Sequence, residues 1–224
     1  MDGRVWQIVV DSFGKLLIPG ITVTIPLTLV SFAIGLALAI IVALTRVART
    51  PVLTQIAQFY VWVFRGTPLL VQLFVIFFGL PSIGVTIPAI PSAIIAFSLN
   101  VGAYASETLR GAIEAVPRGQ FEAGYATNMS YVTIMRRIVL PQAFRSAFPA
   151  LFNTFISLVK DTSLAANITV VEMFMTAQRI TAVYYEPLAL YLEVGVIYLL
   201  FCTVLTWVQR AGEKRLNASG YRKE

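Results

Sequence analysis

Histidine is absent from the 224 residues, and cysteine occurs once, as Cys202. Without histidine the chain has no imidazole proton relay and lacks the commonest metal ligand. A lone cysteine excludes an internal disulfide and a cysteine-based zinc site. Charge is scarce too: Asp, Glu, Lys and Arg make up 12% of the residues, against about 25% in an ordinary soluble domain. Apolar residues reach 58%. So little polar surface cannot clothe a soluble globule of this size, which excludes a soluble enzyme. The low-hydrophobicity, high-charge signature of disorder is missing as well. No nucleophile–base pair and no metal cluster is evident. What remains is a chain whose solvent is lipid, and mean hydropathy is +0.79. A bilayer-spanning helix takes about 20 mostly apolar residues, so the length accommodates five or six spans with their loops.

Apolar runs place five transmembrane helices at about 16–45, 53–80, 91–106, 144–164 and 187–209. The fold class expected is all-α, one polytopic membrane domain over residues 1–224. The first residues mix Asp2, Arg4, Asp11 and Lys15 with no basic leader, and the apolar run after them is too long for a signal-peptide core, so a retained segment is expected. Pro19 falls near the start of the first helix, and Pro26 inside it is expected to kink it or soften a turn. The second run carries Arg65-Gly66-Thr67-Pro68 within or near its membrane part and is read as one span. Residues 81–88 form a tight uncharged loop, and the stretch after Arg210 is a charged, solvated tail. Twelve of the seventeen Lys and Arg lie in the first loop, the long polar loop 107–141 with Arg145, and the tail. The positive-inside rule makes that side cytoplasmic and puts the N-terminus outside.

The long loop has internal structure. Pro117 suits the first turn of a helix. Residues 118–127 have helical composition, with Phe121 and Tyr125 on one face. Asn128 closes that helix in the left-handed conformation, Ser130 caps a second one, and Pro141 breaks or kinks the path onward. A short helix, a turn and another helix can pack on their own bundle or dock in a partner's groove.

Glu122-Ala123-Gly124, then Asn128, then Ile138-Val139-Leu140-Pro141 resembles the EAA signature of binding-protein-dependent ABC importer permeases of type I. Gly124 stands where the pattern has a second Ala, and Asn128 where it has Gly. Asn tolerates positive φ, so the turn is expected to survive. Further stretches resemble the polar amino-acid permeases: Arg65-Gly66-Thr67-Pro68-Leu69-Leu70-Val71-Gln72, Ala103-Tyr104-Ala105-Ser106-Glu107-Thr108-Leu109-Arg110-Gly111 and Ser157-Leu158-Val159-Lys160-Asp161-Thr162-Ser163-Leu164. Residues 155–164 and Gly79-Leu80-Pro81 look closest to the cystine members.

The resemblance implies a MetI-like permease fold in the plasma membrane and import of a polar amino acid, L-cystine first and arginine, glutamine or histidine as alternatives. No P-loop is present, since Gly14-Lys15 runs into Leu16 with no upstream glycine. ATP and Mg therefore belong to a separate ATPase dimer, and this chain is a transporter subunit with no cofactor of its own. Phe121, Glu122, Ala123, Gly124, Tyr125, Asn128, Leu140 and Pro141 form the expected ATPase-coupling element. The other expected partners are an external solute-binding protein, the lipid bilayer and a second permease copy, a homodimer before a heterodimer; nucleic acid is not among them. A zwitterionic substrate calls for polar groups at membrane depth, which are costly and so informative. Asn100, Tyr104 and Glu107 share a helix face, and Lys160, Asp161, Thr162 and Ser163 supply donors and acceptors. These seven are the expected substrate path, although Lys160 and Asp161 can instead pair with each other. Arg65 is expected in a gate or structural ion pair, with Glu107 as its partner. Glu193 is expected to snorkel to the outer interface, and Tyr184 and Tyr185 fit an interfacial belt. An ion-coupled secondary carrier is the competing class. Such carriers carry paired repeats, and none is visible here.

Overall fold

The computed structural model describes residues 3–218, so residues 219–224, with the expected tail cations Arg222 and Lys223, lie outside it. The described residues are helical, with no strand among them. Lipid offers no hydrogen bonds to a bare backbone, and helices satisfy theirs internally. We number α1 Gly3–Val47, α2 Pro51–Gly66, α3 Leu69–Ile83, α4 Ala89–Glu114, α5 Arg118–Ala126, α6 Tyr131–Ile134, α7 Leu140–Asp161, α8 Met173–Tyr184 and α9 Pro187–Ala218.

By length and apolar content α1, α4 and α9 can each cross a bilayer, and α2 with α3 makes a fourth span if that bent pair counts as one. The fifth expected span, α7, is long enough at 22 residues, but Arg145, Asn153, Lys160 and Asp161 dilute its apolar content. Several boundaries move outward. The first helix starts at Gly3 and runs 45 residues, about 68 Å at 1.5 Å per residue and roughly twice the hydrocarbon thickness. The third continues through Glu114, so Glu107 and Arg110 sit on a spanning helix and not in a loop. The last continues to Ala218, so the charged stretch from Arg210 is helical, with Arg210, Lys214 and Arg215 exposed. Between α7 and α9 the sequence reads as merely polar, yet α8 forms there. The buried carboxylate of Glu172 caps it, accepting from the N–H groups of Phe174 and Met175 at 2.7 Å each and from the Tyr198 hydroxyl at 3.1 Å.

The central packing is α1 on α4. On α1 the buried residues Ser31, Gly35, Ala39 and Ala43 recur every four positions and form one small-residue stripe. Small residues let helix backbones approach closely in lipid. A methyl on Gly35 would sit 2.8 Å from Val101 Cβ and 2.9 Å from the Ser98 carbonyl. Ser98 Oγ donates across the interface to the Ser31 carbonyl at 3.1 Å. Around this pair Phe97, Leu73, Leu151, Leu158 and Ile168 close the main core. A second core joins Leu16 of α1 to Met173 and Ala177 of α8 and Val194 and Ile197 of α9. The outward face of α9 stays apolar and exposed, with Leu188, Leu192, Leu199 and Trp207 as a surface suited to lipid.

Three of the prolines are absorbed in the same way. Three π turns, Gly20–Thr24, Val75–Gly79 and Met135–Val139, each end two residues before a proline: Pro26, Pro81 and Pro141. In each, the residue before the proline donates its N–H five residues back, from Ile25 to Gly20, Leu80 to Val75 and Leu140 to Met135. The widened turn moves aside the carbonyl that the ring would strike. Pro26 therefore leaves α1 continuous, and Pro141 neither breaks nor ends the helical path from Tyr131 to Asp161.

Candidate functional site

The chain does break at Thr67-Pro68, where α2 and α3 meet at 106°. The run read as one span over 53–80 thus forms a sharply bent pair of helices. Proline restricts the residue before it to extended backbone, and Thr67 has φ −121° and ψ 146°. Pro68 also has no N–H to offer the Phe64 carbonyl four residues back. Gln72 supplies the missing donor. Its Nε2 donates to the Phe64 carbonyl at 2.9 Å, the Thr67 carbonyl at 3.1 Å and Thr67 Oγ1 at 2.9 Å. The Thr67 hydroxyl in turn caps the Val63 carbonyl at 2.8 Å. Gln72 Oε1 accepts from Asn100 Nδ2 of α4 at 3.1 Å. An intramembrane break persists only where such groups are re-satisfied.

Beside this break lies a cavity of about 480 Å³. The break supplies Thr67 and Pro68, α4 supplies Asn100 and Tyr104, and α7 supplies Asn153, Thr154, Ser157 and Asp161. Of the seven expected substrate-path residues, Asn100, Tyr104 and Asp161 line it. Lys160, Thr162 and Ser163 do not. Thr162 and Ser163 spend their hydroxyls on the Val159 and Lys160 carbonyls, both at 2.7 Å, and so finish α7. No ion pair joins Lys160 to Asp161 among the described residues; neighbours on a helix diverge by about 100°. Thr67, Asn153, Thr154 and Ser157 are lining residues that sequence reasoning did not single out as a path. The signal for the α7 residues was a polar side chain recurring every turn, Asn153, Ser157 and Asp161, whereas Thr67 is brought there by the break.

Glu107 lies two turns along α4 from Asn100 and gathers three arginines. Arg46 from the end of α1 pairs with Oε1, while Arg110 at 2.9 Å and Arg65 at 3.7 Å approach Oε2. Arg110 also pairs with Glu114 at 2.6 Å. The expected Arg65–Glu107 pair is present, within a larger cluster than its sequence suggests. Three guanidinium groups against two carboxylates leave one positive charge over. Arg65 is the most exposed and most loosely held of the three, and its guanidinium lies over the Tyr104 ring, 5.3 Å from the centroid. Tyr104 thus touches both this cluster and the cavity.

The helix–turn–helix over 118–134 forms as its composition predicts. Asn128 has φ 61°. Its N–H donates to the Tyr125 carbonyl at 2.9 Å, and that of Met129 to the Gly124 carbonyl at 3.0 Å, which is a Schellman closure. Ser130 Oγ accepts from the Thr133 N–H at 3.3 Å. The faces differ from expectation. Phe121 does not share an outward face with Tyr125; it packs inward with Leu140 and Met129 on Ile113, Val116 and Ile134. Buried Gly124 lies against Ile134. Glu122, Ala123, Tyr125, Asn128 and Pro141 remain exposed.

Glu193 is also corrected. It does not snorkel outward but is buried, accepting at 2.6 Å from Ser12 Oγ of α1. Tyr185 is exposed and Tyr184 half-buried, at the end of α8. Among the described residues no group of His, Cys, Asp and Glu could hold a metal ion.

The sequence model of the binding-protein-dependent transport system inner membrane component matches residues 35–218. The L-cystine transport system permease protein TcyB of Bacillus subtilis (strain 168) is 50% identical over 213 residues, covering 95% of this chain and 91% of that one. The arginine transport system permease protein ArtQ of the same organism is 35% identical, over 91% and 93% of the two chains. Among solved structures, an amino acid ABC transporter crystallised with histidines superposes with a TM-score of 0.86 at 32% identity, covering 92% of this chain and 96% of that one. The MetNI methionine ABC transporter shares the fold, with a TM-score of 0.70 at 19% identity over 96% and 99% of the two chains. A bent, polar-lined helix bundle with an EAA-type helix pair at one end thus belongs to the family of binding-protein-dependent transport system inner membrane components, the membrane-embedded permeases of ABC importers.

Proposed function

We propose that this chain is the permease of an ATP-driven importer of polar amino acids, with L-cystine as its substrate. The observation that carries this reading is the cavity at the α2–α3 break. Its mixed walls carry polar side chains at the depth of a spanning helix, and its volume suits a small organic ligand. The 50% identity to a permease named for L-cystine supports that choice of substrate over arginine, glutamine or histidine. Asn100, Tyr104 and Asp161 contact the substrate, and the arginine cluster on Glu107 closes the path below it.

Glu122, Ala123 and Tyr125 meet a separate ATPase dimer that holds ATP and Mg. Phe121, Gly124 and Leu140 support that contact from behind, so closure of the ATPase moves the element as a rigid body. An external binding protein delivers the substrate. One chain of so few spans encloses little, so a second copy completes the path, and a homodimer is the simplest assembly. The chain sits in the plasma membrane with its N-terminus outside and its C-terminus cytoplasmic, as its basic loops favour.

The test is uptake of labelled L-cystine by proteoliposomes holding permease, ATPase and binding protein. ATP should drive uptake with ion gradients collapsed, and unlabelled L-cystine should compete better than arginine, glutamine or histidine. Glu122→Ala should lower uptake while the permease still inserts. Competition by arginine alone refutes the substrate, and full uptake by Glu122→Ala refutes the docking role.

A further inference from the structure

The Gln72 network carries information beyond its structural role. All three groups facing Gln72 Nε2 are acceptors. The Phe64 and Thr67 carbonyls cannot donate, and the Thr67 hydroxyl has already given its hydrogen to the Val63 carbonyl. A side-chain amide has two donors at one end and an acceptor at the other. Gln72 must therefore turn its NH₂ to the break, which aims Oε1 at α4. An acceptor at that point requires a donor from Asn100, which meets it with Nδ2 at 3.1 Å. Asn100 Oδ1 is left facing away from Gln72 with no hydrogen bond to the protein among the described residues, and Asn100 lines the cavity.

We infer that Asn100 is a specificity-determining residue that accepts a hydrogen bond from the substrate's α-ammonium group, and that the Pro68 break fixes this polarity through Gln72. The inference rests on the cavity being the substrate site. Two further observations fit it. Asp161 puts a carboxylate on another wall of the same cavity. The surplus positive charge of the Arg46, Arg65 and Arg110 cluster lies beside Tyr104, a residue of the cavity wall, and such a charge repels an ammonium and attracts a carboxylate. Gln72 acts through Asn100 and is a positioning residue.

The experiment measures equilibrium binding to the permease–ATPase complex in nanodiscs, with no binding protein present to preselect ligands. The probes are L-cystine, its dimethyl ester, which keeps both ammonium groups, and N,N′-diacetyl-L-cystine, which has none. The wild-type complex should bind the first two more tightly than the third. Asn100→Leu should weaken L-cystine and the ester by roughly tenfold to a hundredfold, the worth of a hydrogen bond to a charged group, and leave the diacetyl compound unchanged. If Asn100→Leu does not fold, Asp161→Asn, whose side chain carries no hydrogen bond among the described residues, should show the same selective loss. Gln72→Met frees the Asn100 amide to rotate, and the ester-to-diacetyl affinity ratio should fall toward one, which loss of folded protein alone does not produce. Equal weakening of all three probes by Asn100→Leu or Asp161→Asn, or wild-type binding of the diacetyl compound as tightly as L-cystine, overturns the inference. If none of the probes binds while the full system still imports L-cystine, the cavity is not the site and the inference falls with it. If the system imports a different amino acid, the substrate assignment alone fails, and the N-acetyl and methyl-ester derivatives of that amino acid decide the role of Asn100.

Discussion

Gly124→Ala restores the residue that the EAA pattern places there, and on helix propensity alone it should stabilise α5 by about 1 kcal/mol. The packing says the reverse. A methyl at position 124 would lie 2.6 Å from Ile134 Cγ1 and 2.8 Å from Cδ1. Ile134 is fully buried among Ile113, Val116 and Val139, and its β-branched χ1 leaves no easy retreat. Overpacking of this kind costs about 1–3 kcal/mol, so the net effect is destabilisation of up to about 2 kcal/mol after the propensity gain is subtracted. Ile134→Ala removes both clashing carbons at its own cavity cost of about 2–5 kcal/mol. In that background Gly124→Ala should turn stabilising. The assay is the apparent Tm of the permease–ATPase complex for the four members of the cycle at one scan rate. Gly124→Ala should lower it alone and raise it beside Ile134→Ala. An equal rise in both backgrounds refutes the claim that Ile134 dictates glycine at this motif position.

Asn128→Gly should be neutral or slightly stabilising and Asn128→Ala destabilising by about 1 kcal/mol, because φ 61° burdens a residue with a Cβ and no local hydrogen-bonding group; apparent Tm values that match for the two variants would contradict this. Glu107→Gln leaves Arg46, Arg65 and Arg110 around a neutral amide. It should lower thermal stability by less than the roughly 3–5 kcal/mol of a fully buried pair, and Arg46→Met, which removes the most buried of the three cations, should recover part of that loss. Additivity of the two substitutions would mean that Arg46 and Glu107 do not interact. Ser12→Ala removes the donor to buried Glu193 and should cost about 1–3 kcal/mol, the desolvation of an orphaned acceptor. The combined variant with Glu193→Leu should be closer to the wild type in Tm than Ser12→Ala alone.

Composition and local pattern determined a good deal. Scarce charge and high apolar content require a lipid solvent, and apolar runs of about 20 residues in lipid form helices. Pro117, Asn128 and Ser130 place the helix–turn–helix to within a residue, because caps and positive-φ turns are decided by the residues that make them. Four-residue spacing of Ser31, Gly35, Ala39 and Ala43 was present in the sequence as well, though its partner helix was not. The tertiary structure decided everything that depends on which helices touch. Proline alone did not predict a break: Pro26 and Pro141 are passed by π turns, whereas at Thr67-Pro68 the chain bends and Gln72, held in turn by Asn100, donates to the freed carbonyls. Glu107 draws Arg46 and Arg65 from helices distant in sequence, and Phe121 turns inward because Ile113 and Val116 wait there. Periodicity says which face of a helix is apolar. Only packing between helices says what that face meets, and the cavity and its charges exist only after that meeting.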